Sequence, residues 1–210
     1  MTMDLGSNIA IFGFLFGYLS GSIPFGLLLT KAFGLGDIRQ TGSGNIGATN
    51  VLRTGNKALA GATLLADIAK GALPVFLATK YAAVQFGPSS MVGEIALLAG
   101  LGAFLGHLFP IWLKFKGGKG VATYIGVLIG LYWPFAVFFC GVWLVATLVF
   151  RISSLSALIA AATLPIVAST SGHKAFVFVI LLMSGLVFLK HKDNIKRLIR
   201  GEESKIGSGG

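Results

Sequence analysis

The sequence predicts an all-α protein that crosses a membrane several times. Hydrophobic residues make up 55% of the 210 residues and charged residues only 11%, whereas soluble proteins carry about 25% charge. The mean hydropathy is +0.85, and the apolar residues fall in long runs of the length that a membrane helix needs, about 20 residues. These runs leave no room for a separate soluble domain. We therefore expect one membrane domain over residues 1–206, followed by a linker-like tail at 207–210.

Six apolar runs are candidate membrane spans. They cover residues 8–33, 58–79, 91–113, 121–150, 152–170 and 174–189. The run 121–150 is long for one span and short for two, and it contains Tyr132, Trp133 and Pro134. Because Tyr and Trp favour the membrane interface and Pro fits the first turn of a helix, a break is expected there. Two helices, 121–131 and 134–150, then bring the total to about seven.

The distribution of basic residues predicts the orientation of these spans. With seven spans and the N-terminus outside, 14 of the 17 Lys and Arg residues fall on the cytoplasmic side, as the positive-inside rule requires. With six spans, Arg151 and the basic C-terminal tail would lie opposite the lysines at 114–119. The C-terminus is therefore predicted to be cytoplasmic. The net charge of +10 fits anionic lipids or phosphorylated substrates; no soluble basic module suited to nucleic acid is present.

A glycine-rich segment, residues 42–50 with the sequence GSGNIGATN, follows the first span. It matches G-x-G-x-x-G, but a membrane span rather than a β-strand precedes it, so a dinucleotide-binding fold is rejected. Glycines allow backbone N–H groups to turn toward an anion, and Ser, Thr and Asn add side-chain donors. The alternative is a flexible interhelical loop. The absence of Asp, Glu, Lys and Pro from the segment favours anion binding.

A second glycine-rich segment, residues 115–123 with the sequence FKGGKGVAT, precedes the helix predicted to begin at Val121. It is not a Walker A motif, because Lys119 is followed by Gly120. A lysine among glycines at a helix start is nevertheless suited to phosphate. The alternative is that these lysines only mark the inner membrane face, which we favour for Lys114 but not for Lys119.

Two charged residues, Asp67 and Lys70, lie within the second apolar run, three positions apart on one helix. They are expected to form an ion pair with a structural role. The single cysteine, Cys140, lies in an apolar run and is expected to be inert. Neither a cysteine nor a histidine cluster indicates covalent or metal catalysis, and no cofactor is expected.

At five segments the chain resembles the bacterial acyl-phosphate:glycerol-3-phosphate acyltransferase family. These segments are GSIPFG at 21–26, GSGNIGATN at 42–50, GHLFP at 106–110, FKGGKGVAT at 115–123 and HKDN at 191–194. The resemblance implies a seven-helix enzyme of the bacterial cytoplasmic membrane. Such an enzyme moves a fatty acyl group from acyl phosphate to the 1-hydroxyl of sn-glycerol 3-phosphate, giving lysophosphatidic acid and phosphate in phospholipid synthesis. It uses no acyl-CoA.

The resemblance also implies roles for individual residues. The acyl phosphate would be held by two glycine loops, through Gly42, Ser43, Gly44, Asn45, Thr49, Gly118, Lys119 and Gly120. The glycerol 3-phosphate would be held by Arg53, His191 and Asn194. Ser154 resembles a further site residue, and Ser43, Lys119, His191 and Ser154 are the expected catalytic residues. Either the phosphate of the donor or His191 would take the proton of the acceptor.

Other glycerolipid acyltransferases carry a His-x-x-x-x-Asp dyad, and this sequence lacks it. The position five residues after His107 is Trp112. An acyl phosphate is already activated, so positioning and charge stabilisation suffice. Two other functions stay open at this point: a carrier or binder of phosphorylated metabolites, and a non-catalytic lipid-binding membrane protein. Clustering of the motifs on one predicted face argues against a carrier. The sequence does not indicate an oligomeric state.

Overall fold

The computed structural model describes residues 5–170 and 174–207, and within these ranges every regular element is helical. The α-helices are α1 Leu5–Gly21, α2 Phe25–Ala32, α3 Ala48–Leu52, α4 Lys57–Phe86, α5 Ser90–Leu108, α6 Val121–Phe150, α7 Ser153–Thr170, α8 Lys174–Lys190 and α9 Lys192–Ile199. Two short 3-10 helices, Ile38–Gln40 and Ile111–Leu113, lie in the loops. The predicted all-α class is confirmed. Most of the linker-like tail, residues 208–210, lies outside the described residues.

Five helical stretches are long and apolar enough to cross a membrane. They are Leu5–Ala32, Lys57–Phe86, Ser90–Leu113, Val121–Phe150 and Ser153–Thr170, and a shorter apolar helix covers Phe176–Lys190. The first stretch is interrupted between α1 and α2, at the proline-containing motif 21–26. The predicted seven spans and their orientation stay predictions.

Helix α6 leaves helical geometry at Tyr132, where φ is −160° and ψ is 93°. This residue lies at the predicted break before Pro134. The chain divides at the same point into two compact units, Met1–Leu131 and Tyr132–Gly210. The predicted single domain stays a prediction.

In the first unit, small residues bring α1 and α5 into backbone contact. A Cβ atom added at Gly17 would overlap the carbonyl oxygen of Ala99, and one added at Gly21 would overlap that of Ala103. Gly106 of α5 meets the backbone of α1 in the same way. Small residues at such spacing permit close packing of membrane helices. The end of α5 is thereby fixed beside the break that follows α1.

The second unit contains α7, α8 and α9, and its C-terminal segment returns to the start of α7. The backbone N–H of Ile206 donates to the carbonyl of Arg151 at 2.6 Å, and the Arg151 side chain donates to the carbonyl of Ile206 at 3.3 Å. Arg151 has a φ of +59°, which turns the chain sharply between α6 and α7. This arrangement places the segment after α9 against the start of α7.

Candidate active site

The first glycine segment is a folded loop organised by Asn50. The side-chain amide of Asn50 donates to the carbonyls of Ile38, Thr41 and Asn45 at 2.8–3.0 Å, and its oxygen accepts from the N–H of Ser43 at 3.0 Å. Asn50 is buried, with 2% of its surface exposed. Hydrogen bonds of a buried amide to four backbone positions fix the loop conformation. These contacts favour a folded loop over a flexible interhelical loop.

Glycines allow this loop to turn where other residues would be strained. Gly42 and Gly44 have φ values of +55° and +68°, which an L-residue adopts at a cost. Gly42 also lies under the side chain of Arg53, because an added Cβ would be 2.8 Å from Arg53 Cδ and 3.1 Å from Nη1. The structure therefore brings Arg53 onto the first loop.

The predicted ligand side chains of this loop differ in accessibility. Ser43 and Thr49 are exposed, while Asn45 is half-buried and its side-chain oxygen accepts from the N–H of Gly47 at 2.9 Å. The N–H of Gly44 donates to the carbonyl of Thr41 at 3.0 Å. Within this loop, Ser43 and Thr49 are the predicted donors whose side chains reach the surface.

The underside of the loop is part of the hydrophobic core. Ile46 and Val51 are buried at 3% and 0% exposure and pack in a cluster with Leu27 and Leu59. Gly26, from the proline-containing motif, lies so close that a Cβ would overlap the carbonyl oxygen of Ile46. The motif 21–26 thus serves packing beneath the loop.

A neighbouring ion pair removes one basic residue from consideration. Arg39 donates two side-chain hydrogen bonds to Asp37 within 3.0 Å, at Nε and Nη2. These bonds, with the backbone N–H of Arg39, lower the pKa of Asp37 to about 2. Because Arg39 is paired with Asp37, Arg53 and Lys119 are the stronger candidates for the predicted anion binding.

The second glycine segment is folded against the end of α5. The N–H of Gly117 donates to the carbonyl of Leu108 at 3.2 Å, and that of Gly118 donates to the carbonyl of His107 at 3.1 Å. Gly120 has a φ of +89° and precedes α6, which begins at Val121 as predicted. Lys119 is half-buried between two buried glycines. The N–H groups of Gly44 and Gly118 already donate to carbonyls, so the predicted phosphate binding would depend more on side chains.

Asp67 and Lys70 form the predicted ion pair, with 2.7 Å between Lys70 Nζ and Asp67 Oδ1. Lys70 also donates to the carbonyl of Ile23 at 2.7 Å, in the break between α1 and α2. His107 lies beside the pair, with its Nδ1 3.8 Å from Asp67 Oδ1. A histidine and an aspartate therefore meet in space, although no His-x-x-x-x-Asp spacing exists in the sequence.

In the second unit, Glu203 gathers two of the predicted site residues. Its carboxylate accepts from Ser154 Oγ at 2.7 Å, Asn194 Nδ2 at 2.5 Å and Arg197 Nε at 2.6 Å. Only 7% of the Glu203 side chain is exposed. Burial alone would raise the pKa of Glu203, but the three hydrogen bonds and the charge of Arg197 hold it below its ordinary value. Glu203 therefore stays ionised at neutral pH.

His191 is buried at the junction of α8 and α9, with 2% of its surface exposed. Its Nδ1 lies 2.8 Å from the carbonyl oxygen of Val187. Because a carbonyl can only accept, the neutral ring carries its proton on Nδ1 and Nε2 is the acceptor. This tautomer is the one that a proton acceptor at Nε2 requires.

Two organising residues, Asn50 and Glu203, were not among the predicted site residues. Asn50 is the last residue of the GSGNIGATN motif, and an Asn side chain, which can both donate to and accept from the backbone, was the available signal. Glu203 belongs to the pair Glu202 and Glu203 in an otherwise basic tail. An acidic residue among many cations indicates a local partner, although its identity depends on the fold.

The fold and these two groups of residues define a multi-pass helical membrane protein with folded glycine loops suited to anions. The family model described as "Glycerol-3-phosphate acyltransferase" matches residues 11–201. Curated relatives bear that same name. One, from Brucella anthropi, is 56% identical over 195 residues, covering 93% of this chain and 92% of the relative. Another, from Rhodopseudomonas palustris, is 58% identical over 200 residues, covering 95% of this chain and 97% of the relative.

Solved structures agree with these relatives. The chain is similar to the crystal structure of PlsY, an integral membrane glycerol 3-phosphate acyltransferase, in its glycerol 3-phosphate form. The TM-score is 0.84 at 35% identity, and the match covers 95% of this chain and 96% of that one. The form of PlsY with lysophosphatidic acid gives a TM-score of 0.80 at 34% identity and the same coverage. The chain belongs to the glycerol-3-phosphate acyltransferase family, as the motifs predict.

Proposed function

We propose that this protein transfers a fatty acyl group from acyl phosphate to the 1-hydroxyl of sn-glycerol 3-phosphate. The products are lysophosphatidic acid and inorganic phosphate. The observation that carries the proposal is the pair of folded glycine loops with Arg53 and Lys119, in a chain whose relatives are glycerol-3-phosphate acyltransferases. Glycerol 3-phosphate and lysophosphatidic acid forms of a similar structure agree with the acceptor and the product.

The reaction needs an activated carbonyl and a nearby hydroxyl. The acceptor oxygen forms a bond to the acyl carbon, the bond from that carbon to the phosphate oxygen breaks, and the phosphate leaves. The hydroxyl proton passes to the departing phosphate or to His191. Negative charge develops on the acyl oxygen and on the leaving phosphate, so preorganised donors and cations lower the barrier. No covalent enzyme intermediate is required.

Residues of the first unit are proposed to hold the donor. The hydroxyls of Ser43 and Thr49 lie exposed on a loop that Asn50 fixes, which suits them to contact phosphate oxygens. Lys119, between Gly118 and Gly120, supplies the positive charge for the leaving phosphate. Asn45, Gly42, Gly44 and the glycines of the second loop shape the two loops.

Arg53, His191 and Asn194 are proposed to hold glycerol 3-phosphate, with Ser154 as a further contributor. Arg53 offers the bidentate geometry that matches a phosphate. Asn194 and Ser154 share the Glu203 carboxylate, which orients both side chains. With the proton of His191 on Nδ1, Nε2 is the nitrogen through which the ring would accept the proton of the hydroxyl. Both this route and proton transfer to the phosphate of the donor remain in the proposal.

A phosphate-release assay in detergent tests the proposed function. Purified protein given palmitoyl phosphate and glycerol 3-phosphate is expected to release phosphate and form lysophosphatidic acid, at a rate that depends on both substrates. Binding of either substrate without product would contradict the proposal and favour a carrier or binder. A preparation with Lys119→Ala is the matched control for contaminating activity.

The same assay is expected to show no metal requirement and no use of acyl-CoA. The proposed site relies on hydroxyls, Lys119 and Arg53 rather than on a metal ion for charge stabilisation. Excess EDTA should therefore leave the rate unchanged. Palmitoyl-CoA should give less than about 1% of the palmitoyl phosphate rate, a loss of about two orders of magnitude in rate. A loss of activity in EDTA that a divalent ion restores would refute the expected independence of metal ions. Comparable rates with palmitoyl-CoA would refute the expected specificity for acyl phosphate.

We also propose that both glycine loops and the C-terminal tail face the cytoplasm in the cell membrane. Cysteines placed at Glu202 and at Ser89, in a Cys140→Ser background, report on the two predicted sides. A membrane-impermeant maleimide applied to intact spheroplasts should label the Ser89 position and leave the Glu202 position unlabelled until the membrane is permeabilised. The reverse pattern would invert the proposed topology.

A further inference from the structure

A cluster of charged or ionisable side chains is buried in the first unit, outside the groups proposed to touch substrate. Asp67, Lys70 and His107 expose 2%, 3% and 4% of their surfaces. They connect separate parts of the chain: Lys70 reaches the carbonyl of Ile23 between α1 and α2, Asp67 pairs with Lys70, and His107 Nδ1 lies 3.8 Å from Asp67. Ionisable groups inside membrane helices are costly and generally serve a function. Ion pairing alone would not require His107.

The imidazole of His107 lies directly against the second glycine loop. A Cβ atom added at Gly118 would overlap His107 Nε2 and would lie 2.8 Å from Cε1. The backbone carbonyl of His107 accepts from the N–H of Gly118 at the same place. His107 therefore contacts the residue before Lys119 through both its ring and its backbone.

A role for His107 as a general base with Asp67 disagrees with this geometry. The Nε2 edge, which would have to accept a proton, lies against Gly118. The carboxylate of Asp67 is already paired with the ammonium of Lys70 at 2.7 Å. The ring is therefore placed to support the loop rather than to reach a substrate hydroxyl.

We propose that His107 is a positioning residue for acyl phosphate binding: its ring, packed beside the Asp67–Lys70 pair, supports Gly118 and so sets the position of Lys119. This inference rests on the proposed function of the 117–120 loop as a phosphate site. It explains why glycine occupies position 118, where φ is not in the left-handed region. A side chain at position 118 would overlap the imidazole of His107, whose atoms are the nearest to the added Cβ.

The test is a double-mutant cycle between His107 and Gly118, read as kcat and KM for each substrate. Gly118→Ala alone should clash with the ring and lower kcat/KM by about 10², the effect of displacing a positioned group by about 1 Å. His107→Ala alone should raise KM for palmitoyl phosphate about tenfold through loss of loop support, with KM for glycerol 3-phosphate changed less than about twofold. In the double variant the new methyl occupies the vacated space, so its kcat/KM should return to that of His107→Ala alone.

Gly117→Ala is the matched control, because its Cβ would overlap the backbone carbonyl of His107. The variant His107→Ala cannot relieve that clash, so the Gly117 effect should persist in the double variant.

If His107→Ala does not yield folded protein, the cycle is run with His107→Asn, which keeps an amide toward Asp67 and withdraws the ring from Gly118. Multiplicative effects of His107 and Gly118, or equal changes in both KM values, would overturn the inference. Wild-type protein that releases no phosphate from palmitoyl phosphate would refute the proposed function instead.

Discussion

Replacing Lys119 with alanine is expected to lower turnover by about 10²–10³ while the protein stays folded. Lys119 is half-buried between Gly118 and Gly120, at the start of α6. Its ammonium would balance the charge that develops on the leaving phosphate. Loss of one such preorganised contact costs about 3–4 kcal/mol in the transition state, which corresponds to this loss of rate. The measurement is kcat for phosphate release together with the melting temperature in detergent.

Lys116→Ala provides the comparison, because Lys116 is exposed three positions earlier on the same segment. If Lys116 only marks the inner membrane face, its removal should change kcat less than about threefold, as surface substitutions usually change little. The pair of variants therefore separates a phosphate ligand from a marker of topology. Near-wild-type rates and melting temperatures for both variants would show that this loop does not bind the leaving phosphate.

Much of the fold followed from hydropathy, because apolar runs and their breaks are local properties of the chain. The break near Pro134 coincides with non-helical geometry at Tyr132, and α6 begins at Val121. The interruption of the first stretch between α1 and α2 lies at Pro24, in the motif 21–26. These features depend on proline, on glycine and on residue polarity, which the sequence displays directly.

The supporting contacts of the site could not be predicted in the same way. Asp67 is 40 positions before His107 and Glu203 is 49 positions after Ser154, so only folding brings each pair together. The sequence predicted Asp67–Lys70 from helical spacing, since that contact is local. It gave no indication that backbone carbonyls would already occupy the N–H groups of Gly44 and Gly118.

Replacing Glu203 with alanine is expected to lower turnover by about 10², with a lower melting temperature. The carboxylate holds Ser154 and Asn194 with its Oε1 atom and Arg197 with its Oε2 atom. Without this carboxylate, the side chain of Asn194, which is proposed to bind glycerol 3-phosphate, loses its orientation. Misplacement of such a group by about 1 Å can lower the rate by about 10². Glu203→Gln should retain more activity, because its carbonyl can still accept from Ser154 and Asn194, although its amide opposes Arg197.

Glu202→Gln is the control, since Glu202 is the exposed neighbour in the same segment and the variant should behave as wild type.

The pH dependence of the melting temperature gives a second readout. Because the folded-state pKa of Glu203 lies below its ordinary value of 4.5, its contribution to stability is present above that value. It is lost as the pH falls through the lower folded-state pKa. The melting temperatures of wild type and Glu203→Gln should therefore differ at neutral pH and converge in acid. A constant difference across that range, or full activity of Glu203→Ala, would show that the carboxylate does not organise this group of residues.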